Sequence, residues 1–493
     1  MPDGRPLDVV MFAAEAFPFV KVGGLGDIVG ALPKYLKTLG AEPSIVIPAY
    51  KDVHHDRHGI APYAPVPEFL VPMGPGWARA EIYHGALPGT DIDVFFIGCV
   101  DYFYRDGVYD DPGTGEGFPD NMERYVFFMK AGLELWKRLA RNADVLHCHD
   151  SQAGLIPGML KTTYADDPSF QRAGTLFTIH NLAYQGVYPK ESLYWAGIDY
   201  RHFYPTSPFE FWGKVNFTKV GIECADLVST VSETYAREIQ ESAEFGYGLE
   251  GVLRRRSEDL FGIVNGIDYR EWNPETDPLL PAHFSSRDLA GKAVCKRELQ
   301  AAFGLPPRDG QVPVFGIVSR LTDQKGLDLI AEAVEEITAL DLQMIVLGNG
   351  QRHYHDLFGM LAERYPEKIG VRFGHDNRLA HLVEAGADIF LMPSKYEPCG
   401  LNQIYSLRYG AVPVVRATGG LVDTVQNYDL ESETGSGFSF ESYSAAAMMD
   451  ALRRALRLYS DAERWRRLQA RIMTLDWSWE ASARKYMELR NPD

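Results

Sequence analysis

Short apolar segments that alternate with helical patterns run along the whole chain. Residues 8–15 form an apolar run rich in Val and Phe, residues 25–39 carry a helical pattern after a glycine-rich turn, and residues 44–48 are apolar again. This order predicts a βαβ unit in a parallel sheet covered by helices. The rhythm recurs at ADVLHCHD, TLFTIHN and LVSTVS, where each predicted strand runs into polar residues. We expect these polar residues to share one edge of the sheet, where ligands bind in such folds.

A second series of strands and helices follows a break in this pattern. Between residues 266 and 310 the chain is rich in Pro, Asp and Trp, and the later segments VFGIVSR, QMIVLGNG, VRFGHD, DIFLMPS and VPVVRAT each precede a helical pattern. The sequence therefore predicts an α/β protein with two doubly wound, Rossmann-like domains that face each other across a deep cleft. We place the domains at residues 1–258 and 259–475, and expect residues 476–493 to form a helix that packs back on the first domain.

The amino-acid composition is consistent with the predicted fold and limits the classes of ligand that the protein can bind. Hydrophobic residues make up 46% of the 493 positions and charged residues 24%, as is typical of soluble globular proteins. The 49 basic and 67 acidic residues give a formal net charge of −18, which argues against a nucleic-acid partner or an anionic membrane surface. An anionic ligand would therefore need a local basic cluster.

The cysteines and the apolar runs bear on location. Five cysteines are far apart and form no C-x-x-C pair, which favours free thiols in a reducing compartment. We find no apolar run long enough to span a bilayer, and the apolar start lacks the basic region and cleavage site of a signal peptide. These observations predict a cytoplasmic protein with no membrane partner.

The turn after the first strand has the chemistry of an anion site. Lys21 is followed by Gly23 and Gly24, which place an ammonium group and exposed backbone N–H groups at the start of a helix. A dinucleotide fingerprint is disfavoured because the glycines at 24, 26 and 30 have the wrong spacing and the second strand ends without the ribose-binding acid. A purely structural tight turn is the alternative. A second copy of the pattern, TGGLVDTV at 418–425, agrees with VGGLGDIV at 22–29 in five of eight positions, and we expect both turns to face one ligand.

Two segments of the second half carry further candidate groups. Arg320 and Lys325 lie in SRLTDQKG, where a guanidinium and an ammonium around a tight turn can bind a diphosphate, although a solvated basic loop is the alternative. In MPSKYEPCGLNQIYSLRYG a predicted strand leads to Glu397, Cys399 and Gly400 before a helix. A carboxylate there can bind sugar hydroxyls, while the start of the helix binds phosphate.

The segment HCHD at 147–150 invites comparison with a metal site. Alternate residues of a strand point to opposite faces, so His147 and His149 share a face that Cys148 does not. A zinc site needs three or four converging ligands, and the neighbouring sequence offers no matching pair. We therefore expect no structural metal and place Asp150 at the sheet edge as a group that accepts hydrogen bonds from hydroxyls. His180 ends another strand and shares this edge, although a lone histidine is more often a structural group with satisfied hydrogen bonds.

Together, these segments resemble one known family. KVGGLGDIVGALPK, HCHDSQAG, TIHNLAYQG, SRLTDQKGLDL, PSKYEPCGLNQIYSLRYG and ATGGLVDTV occur in the order seen in bacterial glycogen synthases and plant starch synthases. The resemblance spans nearly the whole chain. It implies a GT-B glycosyltransferase that moves glucose from ADP-glucose to the non-reducing end of an α-1,4-glucan such as glycogen or a maltooligosaccharide, with retention at the anomeric carbon and without a cofactor or metal.

The resemblance also implies roles for individual residues. Five are expected to act in catalysis, with the Glu holding the transferred glucose and the Arg and Lys gripping the diphosphate: Glu397, Arg320, Lys325, His180 and Asp150. The implied donor site comprises Lys21, Gly23, Gly24, Asn265, Arg320, Lys325, His375, Cys399, Gly400, Leu401, Thr418, Gly419 and Gly420. Three residues are expected on the acceptor side: Asp120, Asn121 and Tyr184.

The chain departs from the family pattern at two positions. Many related transferases have a second Glu eight residues after the first, where this chain has Tyr405, so no role is carried over for that carboxylate. Close bacterial relatives place an aromatic ring against adenine where this chain has His375, which leaves a transferase that uses UDP-glucose or another acceptor as an alternative. A non-catalytic glucan-binding protein is the other. The resemblance implies a front-face reaction, but a double displacement through Asp150 or Glu397 stays open.

Overall fold

The computed structural model describes residues 5–53, 55–308 and 312–489 and divides into two compact units. The first unit comprises the described residues of Met1–Val231, Ala236–Ile263 and Ser482–Asp493, and the second comprises those of Ser232–Tyr235 and Val264–Ala481. The main division thus falls five residues after the predicted boundary at 258. The outermost ends of the predicted domains, residues 1–4 and 490–493, lie outside the described residues.

The first unit is built on a sheet of ten strands, with a separate two-stranded ribbon of β9 and β10. Its strands are β1 Leu7–Phe12, β2 Ala41–Pro48, β3 Ala61–Pro62, β4 Glu68–Met73, β5 Gly76–Ala86, β6 Asp93–Gly98, β7 Val145–His149, β8 Gly174–Ile179, β9 Val187–Pro189, β10 Lys214–Asn216, β11 Leu227–Thr230 and β12 Leu260–Gly262. Its helices are α1 Gly24–Thr38, α2 His55–His58, α3 Val100–Phe103, α4 Asn121–Arg138, α5 Ile156–Leu160, α6 Ser192–Ala196, α7 Phe217–Cys224, α8 Glu233–Glu241, whose first residues belong to the second unit, α9 Ala243–Gly246 and α10 Glu250–Arg255.

The strand order of this sheet determines where a ligand can bind. The order is β12-β11-β8-β7-β1-β2-β6-β5-β3, with β4 paired to β5, and the strands from β12 to β6 are parallel. The central strands are buried because they carry almost only apolar residues, as LDVVMF of β1 shows. The chain runs from β1 to β2 on one side and later returns to β7 on the other side. The carboxyl ends of β1 and β7 therefore flank the switch point at which open parallel sheets bind ligands.

The second unit has a parallel sheet of six strands in the order β15-β14-β13-β16-β17-β18. Its strands are β13 Val314–Leu321, β14 Gln343–Gly350, β15 Ile369–Phe373, β16 Ile389–Met392, β17 Val412–Arg416 and β18 Phe438–Phe440. Its helices are α11 Ala290–Ala302, α12 Leu327–Glu332, α13 Val334–Ala339, α14 Arg352–Arg364, α15 Asn377–Gly386, α16 Asn402–Arg408, α17 Gly420–Thr424, α18 Ala445–Tyr459, α19 Ala462–Ile472 and the first residues of α20 Trp479–Glu488. Here β13 and β16 flank the switch point.

Apolar side chains from both faces of the second sheet form two packed cores. One contains Phe315, Ile330, Phe358 and Met448, and the other contains Cys295, Leu299 and Phe390. The last turns of α20 belong to the first unit, where the Tyr486 ring lies 5.8 Å from the His147 ring. Among the residues that the structure describes, no helix is long and apolar enough to cross a membrane.

Candidate active site

Asp150 occupies the carboxyl end of β7 in the first unit. Its backbone has a φ of 55°, an unusual conformation for a residue other than glycine, and its Oδ1 accepts a 2.8 Å hydrogen bond from the N–H of His180. Burial raises the pKa of Asp150 from 3.8 to about 7, although the N–H groups of His180 and Asn181 oppose this rise and the Glu15 carboxylate adds to it. The structure thus brings Asp150 and His180 together at the sheet edge. A carboxyl group with this pKa can donate or accept hydrogen bonds near neutral pH.

His180 belongs to a buried cluster of three histidines. His149 Nδ1 lies 2.9 Å from His180 Nε2, and the rings of His147 and His149 are 4.0 Å apart. Burial lowers the pKa of His147 and of His180 to about 3, and that of His149 well below its ordinary value. The Nδ1 atom of His180 is buried without a hydrogen-bond partner. This cluster is therefore uncharged at physiological pH, and a ligand hydroxyl could bond to His180 Nδ1. In the described ranges, no three His, Cys, Asp or Glu side chains are placed to hold a metal ion.

The turn that follows β1 carries Lys21 and the two glycines at the start of α1. Lys21 Nζ lies 2.7 Å from Asp27 Oδ1, and its side chain is 38% exposed. The N–H of Gly23 donates to the buried carboxylate of Glu15 rather than projecting to solvent. Sequence reasoning missed Glu15, although a lone carboxylate directly after an apolar strand is a signal that could have revealed it. Gly24 is the first residue of the helix, one residue before the predicted start at residue 25.

The predicted acceptor-side residues lie at the start of α4 and after β8. Both oxygens of Asp120 accept 2.8 Å hydrogen bonds from Arg105. Asn121 donates from Nδ2 to the carbonyl oxygen of Tyr109 and accepts from Arg124. Tyr184 is 57% exposed. These internal bonds hold Asp120 and Asn121 at the start of α4, and the exposed Tyr184 ring is accessible to a ligand.

In the second unit, three predicted residues line one cavity of about 200 Å³. Arg320 comes from the end of β13, Lys325 from the turn after it, and Glu397 from the loop that follows β16. Lys325 Nζ donates to Glu397 Oε2 at 2.7 Å, and Ser394 Oγ donates to the same oxygen at 3.0 Å. The side chains of Lys325 and Glu397 are 17% and 8% exposed. A lysine and an exposed arginine beside a bound carboxylate can hold a phosphate next to a hydroxyl-bearing group.

The glycines near this cavity bring the backbone close to Glu397. Gly420 N donates to the carbonyl oxygens of Glu397 and Pro398, both at 3.1 Å. Gly419 has a φ of 46°, and a Cβ atom at this position would overlap the Glu397 carbonyl oxygen. Only glycine therefore fits position 419 without strain. Thr418, the residue before this pair, is buried.

The remaining predicted donor residues are distributed around the same sheet edge. Gly400 and Leu401 line the cavity. Cys399 is buried, which raises the pKa of its thiol to about 12, and Asn265 hydrogen-bonds to it. Asn265 Oδ1 is buried without a hydrogen-bond partner and can accept a bond from a ligand. His375 is exposed in the loop between β15 and α15.

Comparison with known proteins decides the family. The protein-family model described as the starch synthase catalytic domain matches residues 8–255. The family model described as glycosyl transferases group 1 matches residues 303–470. Glycogen synthase 1 of Geobacter metallireducens is 45% identical over 487 residues, which cover 98% of this chain and 96% of the relative. The chain belongs to the glycogen and starch synthase family. Its resemblance to that family, inferred from six short segments, is thereby confirmed.

Further members of the glycogen and starch synthase family agree in length and fold. The glycogen synthase of Fervidobacterium nodosum is 44% identical over 485 residues and covers 98% of each chain. The catalytic domain of starch synthase IV from Arabidopsis thaliana, solved bound to ADP and acarbose, superposes with a TM-score of 0.90 at 33% identity and covers 98% of both chains. Sucrose-phosphate synthase from Thermosynechococcus elongatus, at 16% identity and a TM-score of 0.57, shares the fold alone. The predicted GT-B fold of two Rossmann-like domains is confirmed, and the chain is a glycosyltransferase of the glycogen synthase type.

Proposed function

We propose that this glycogen synthase relative transfers glucose from ADP-glucose to the non-reducing end of an α-1,4-glucan, retains the configuration of the anomeric carbon and releases ADP. The observation that carries the proposal is the 200 Å³ cavity in which Arg320 and Lys325 lie beside Glu397. It combines two cations, suited to a diphosphate, with a carboxylate suited to sugar hydroxyls. The Arabidopsis relative was solved with ADP, the nucleotide that this reaction would release.

Arg320 and Lys325 are proposed to stabilise the departing ADP. Cleavage of the bond between glucose and phosphate builds negative charge on the phosphate oxygen, and two fixed cations lower the energy of that state. Lys325 is already oriented by its 2.7 Å bond to Glu397, so it needs little rearrangement to receive the phosphate. These cations can supply the stabilisation that a metal ion provides in other transferases, and we propose that the reaction needs none.

The remaining polar groups are proposed to hold the glucose and the acceptor. Glu397 accepts hydrogen bonds from hydroxyls of the transferred glucose. In the first unit, Asp150 and the neutral His180 bond to further hydroxyls, and Tyr184 offers an exposed ring to the acceptor. Hydrogen-bonding side chains of this kind suit a neutral polysaccharide that is rich in hydroxyls.

The surroundings of the two carboxylates support the front-face reaction over a double displacement. Because the pKa of Asp150 is about 7, only about half of this carboxyl group is ionised at neutral pH, and its Oδ1 is already bound to a backbone N–H. The free, ionised oxygen that a double displacement requires is therefore only partly available. One oxygen of Glu397 is occupied by Lys325 and Ser394. We therefore propose that the departing phosphate takes the proton of the acceptor hydroxyl while that hydroxyl attacks the same face of the sugar. A cytoplasmic location belongs to the proposal and is supported by five buried cysteines that form no disulfide.

A panel of donors and acceptors tests the proposal. Purified protein is incubated with ADP-glucose or UDP-glucose, and with glycogen or maltooligosaccharides, in the presence and absence of EDTA. Released nucleotide is measured, and the linkage and anomeric configuration of the product are determined by NMR. We expect faster release from ADP-glucose, new α-1,4 linkages and no effect of EDTA.

Other results of this panel would contradict the proposal in different ways. Faster transfer from UDP-glucose would overturn the donor assignment while keeping the transferase. Binding of maltooligosaccharide without nucleotide release from either donor would indicate a glucan-binding protein that keeps only the fold. Loss of activity in EDTA would show that the two cations do not suffice.

A further inference from the structure

Glu15 is a buried carboxylate in the first unit whose two oxygens are both bound within the protein. It follows the carboxyl end of β1 and is 3% exposed. Its Oε2 accepts hydrogen bonds from the N–H groups of Val22 at 2.5 Å and Gly23 at 2.9 Å, and its Oε1 accepts one from the Tyr109 hydroxyl at 2.5 Å. A buried carboxylate is retained at a cost in desolvation, so its partners indicate what it stabilises.

On one side, Glu15 holds the turn that carries Lys21. The two N–H groups that it binds are those immediately after Lys21 and immediately before α1. The other end of the turn is held by the Phe17 N–H, which donates to the carbonyl oxygen of Gly26 at 2.9 Å. Backbone bonds between Ala16 and Val20 also hold the part of the turn before Lys21. After Lys21, the N–H groups of residues 22 and 23 are both bound to Glu15, so the position of the turn on this side depends on this carboxylate.

On the other side, Glu15 connects to the acceptor-side residues through Tyr109. The Tyr109 carbonyl oxygen accepts from Asn121 Nδ2 at 2.9 Å, and Asn121 Oδ1 accepts from Arg124 at 2.6 Å. Burial and the adjacent Glu15 raise the pKa of Tyr109 well above its ordinary value, so its hydroxyl stays a hydrogen-bond donor at physiological pH. A continuous series of hydrogen bonds thus links the start of α4 to the Lys21 turn.

We propose that Glu15 and Tyr109 are positioning residues that hold the Lys21 turn in the geometry that binds the nucleotide-sugar donor. The proposal deepens the proposed function and rests on it. Neither side chain needs to touch the donor, because each acts through the backbone of residues 22 and 23. Removing the Tyr109 hydroxyl leaves Glu15 Oε1 buried without a hydrogen-bond donor, which costs free energy. The Glu15 side chain can lower this cost by rotating away from the N–H groups of residues 22 and 23.

Four variants test this proposal. Tyr109→Phe removes one hydroxyl, Glu15→Ala removes the anchor, and Glu15→Gln keeps it, since an amide oxygen accepts from both N–H groups and the amide NH2 can donate to the Tyr109 oxygen. Tyr50→Phe is the matched control, because the hydroxyl of this buried tyrosine lies 3.3 Å from that of Tyr125. Although the Glu15 charge contributes to the raised pKa of Tyr50, the hydrogen bonds that Glu15 accepts come from residues 22, 23 and 109. The KM and kcat for the donor are measured with ADP-glucose and UDP-glucose, together with the melting temperature and the amide hydrogen exchange of segment 20–26.

We expect the donor KM to rise about tenfold in Tyr109→Phe and further in Glu15→Ala, with kcat changed by less than about threefold, because a hydrogen bond to a buried charge is lost. Exchange in segment 20–26 should accelerate in the same two variants. Glu15→Gln and Tyr50→Phe should keep the donor KM within about threefold of wild type. The proposal is overturned if Tyr109→Phe keeps the wild-type donor KM, or if its melting temperature falls while exchange in segment 20–26 does not change.

The failure of this proposal is distinguishable from that of the proposed function. Hydrogen exchange needs no substrate, so it decides whether Glu15 and Tyr109 anchor the turn even if wild-type protein transfers glucose from neither donor. If UDP-glucose is the better donor, the KM comparison is made with it and the same expectations hold. Unchanged exchange in both Tyr109→Phe and Glu15→Ala overturns the anchoring regardless of which donor is used.

Discussion

The candidate site residues of the two units differ in charge. In the second unit, Glu397 is ion-paired with Lys325 at 2.7 Å and Arg320 is exposed at the same cavity. In the first unit, burial keeps His180 neutral and brings the pKa of Asp150 to about 7. The difference teaches that the cavity of the second unit presents formal charges of both signs, where both the diphosphate and the glucose are expected. The buried sheet edge of the first unit instead presents neutral or partly ionised groups, and the charged Lys21 of that unit lies in a partly exposed turn. Variants of Glu397, Lys325 and Ser394 test the charged cavity, and Asp150→Asn tests the buried sheet edge.

The largest effect is expected at Glu397. Glu397→Gln removes the charge and leaves Lys325 without its charged partner, so we expect kcat to fall about 1,000-fold. The melting temperature should fall as well, because one member of a mostly buried ion pair is lost. Nucleotide release with saturating donor and glycogen measures the loss. Near-normal turnover would show that Glu397 has no essential role in the reaction.

Glu384 provides a matched control for that variant. It is buried in the same unit, accepts a 2.7 Å hydrogen bond from Ser406, and burial raises its pKa well above the ordinary value. It is not among the residues that line the cavity of Arg320, Lys325 and Glu397. Glu384→Gln should therefore leave kcat unchanged within about twofold. A large loss of kcat in Glu384→Gln would show that replacing another buried carboxyl group of this unit has the same effect. That result would contradict a specific role for the ion pair at Glu397.

Lys325→Ala should impair the use of the donor more than the binding of glucan. We expect kcat/KM for the donor to fall about 100-fold, with a lower kcat as well as a higher KM, because a cation that binds the diphosphate and stabilises the departing ADP is lost and Glu397 is left buried without its partner. Affinity for glycogen, measured by gel retardation, should change little. Lys395→Ala, at an exposed lysine two residues before Glu397, is the control. An equal loss of donor and glycogen binding would contradict the division of roles between the units.

The pH dependence tests the first unit. If Asp150 acts as a hydrogen-bond acceptor in its ionised form, kcat/KM should fall about tenfold per pH unit well below its pKa of about 7. Asp150→Asn should reduce activity about tenfold at pH 8 and abolish this acidic limb. Rate profiles between pH 5 and 9 provide the measurement. If the fall in kcat/KM at low pH persists in Asp150→Asn, a titrating group other than Asp150 causes it.

Stability should show the opposite dependence on pH. Because folding raises the pKa of Asp150 from 3.8 to about 7, its contribution is fully present below pH 3.8 and is lost as the pH rises through 7. Asp150→Asn cannot ionise, so its melting temperature should exceed that of wild type at pH 8 and approach it at pH 5. Calorimetry at the two pH values makes the comparison, and a variant less stable than wild type at pH 8 would refute the sign.

The smallest effect is expected at Ser394. Its hydroxyl donates to Glu397 at 3.0 Å, but Lys325 binds the same oxygen. Ser394→Ala should therefore lower kcat/KM about fivefold, in line with the loss of one hydrogen bond to a charged group. Initial rates at low donor concentration measure it. A loss as large as that of Lys325→Ala would show that the serine, rather than the lysine, orients the carboxylate.

The sequence predicted elements and sheet edges better than contacts. Apolar runs followed by polar residues predicted that Asp150 and His180 share one edge of the sheet. The structure places them after two neighbouring strands, β7 and β8. The sequence could not predict that Glu15 binds the turn after Lys21 or that Ser394 bonds to Glu397, because such bonds depend on loop geometry rather than periodicity. The helix predicted over 25–39 spans Gly24–Thr38 despite Pro33, because the N–H lost there costs less than the buried apolar face of α1 contributes.

The boundary between the two units is a second feature that the sequence pattern did not predict. Residues 232–235 follow a strand of the first unit yet belong to the second, where Thr234 bonds to Asp423 through both its N–H and its hydroxyl. Asp423 lies in the TGGLVDTV copy, whose counterpart Asp27 instead pairs with Lys21. The two copies thus share letters and a position at the start of a helix but differ in partners. Local pattern cannot reveal a bond across 189 residues of sequence.

The assignment of residues 482–489 to the first unit has a consequence for biosynthesis. The segment is the last part of the described chain to be translated, and Tyr486 packs beside His147, more than 300 residues earlier. The second unit is continuous from Val264 to Ala481, so nearly all of it leaves the ribosome before the first unit is complete. Nascent chains arrested before residue 482 should therefore hold a nearly whole second unit beside a first unit that still exposes the surface around His147 to chaperones and proteases.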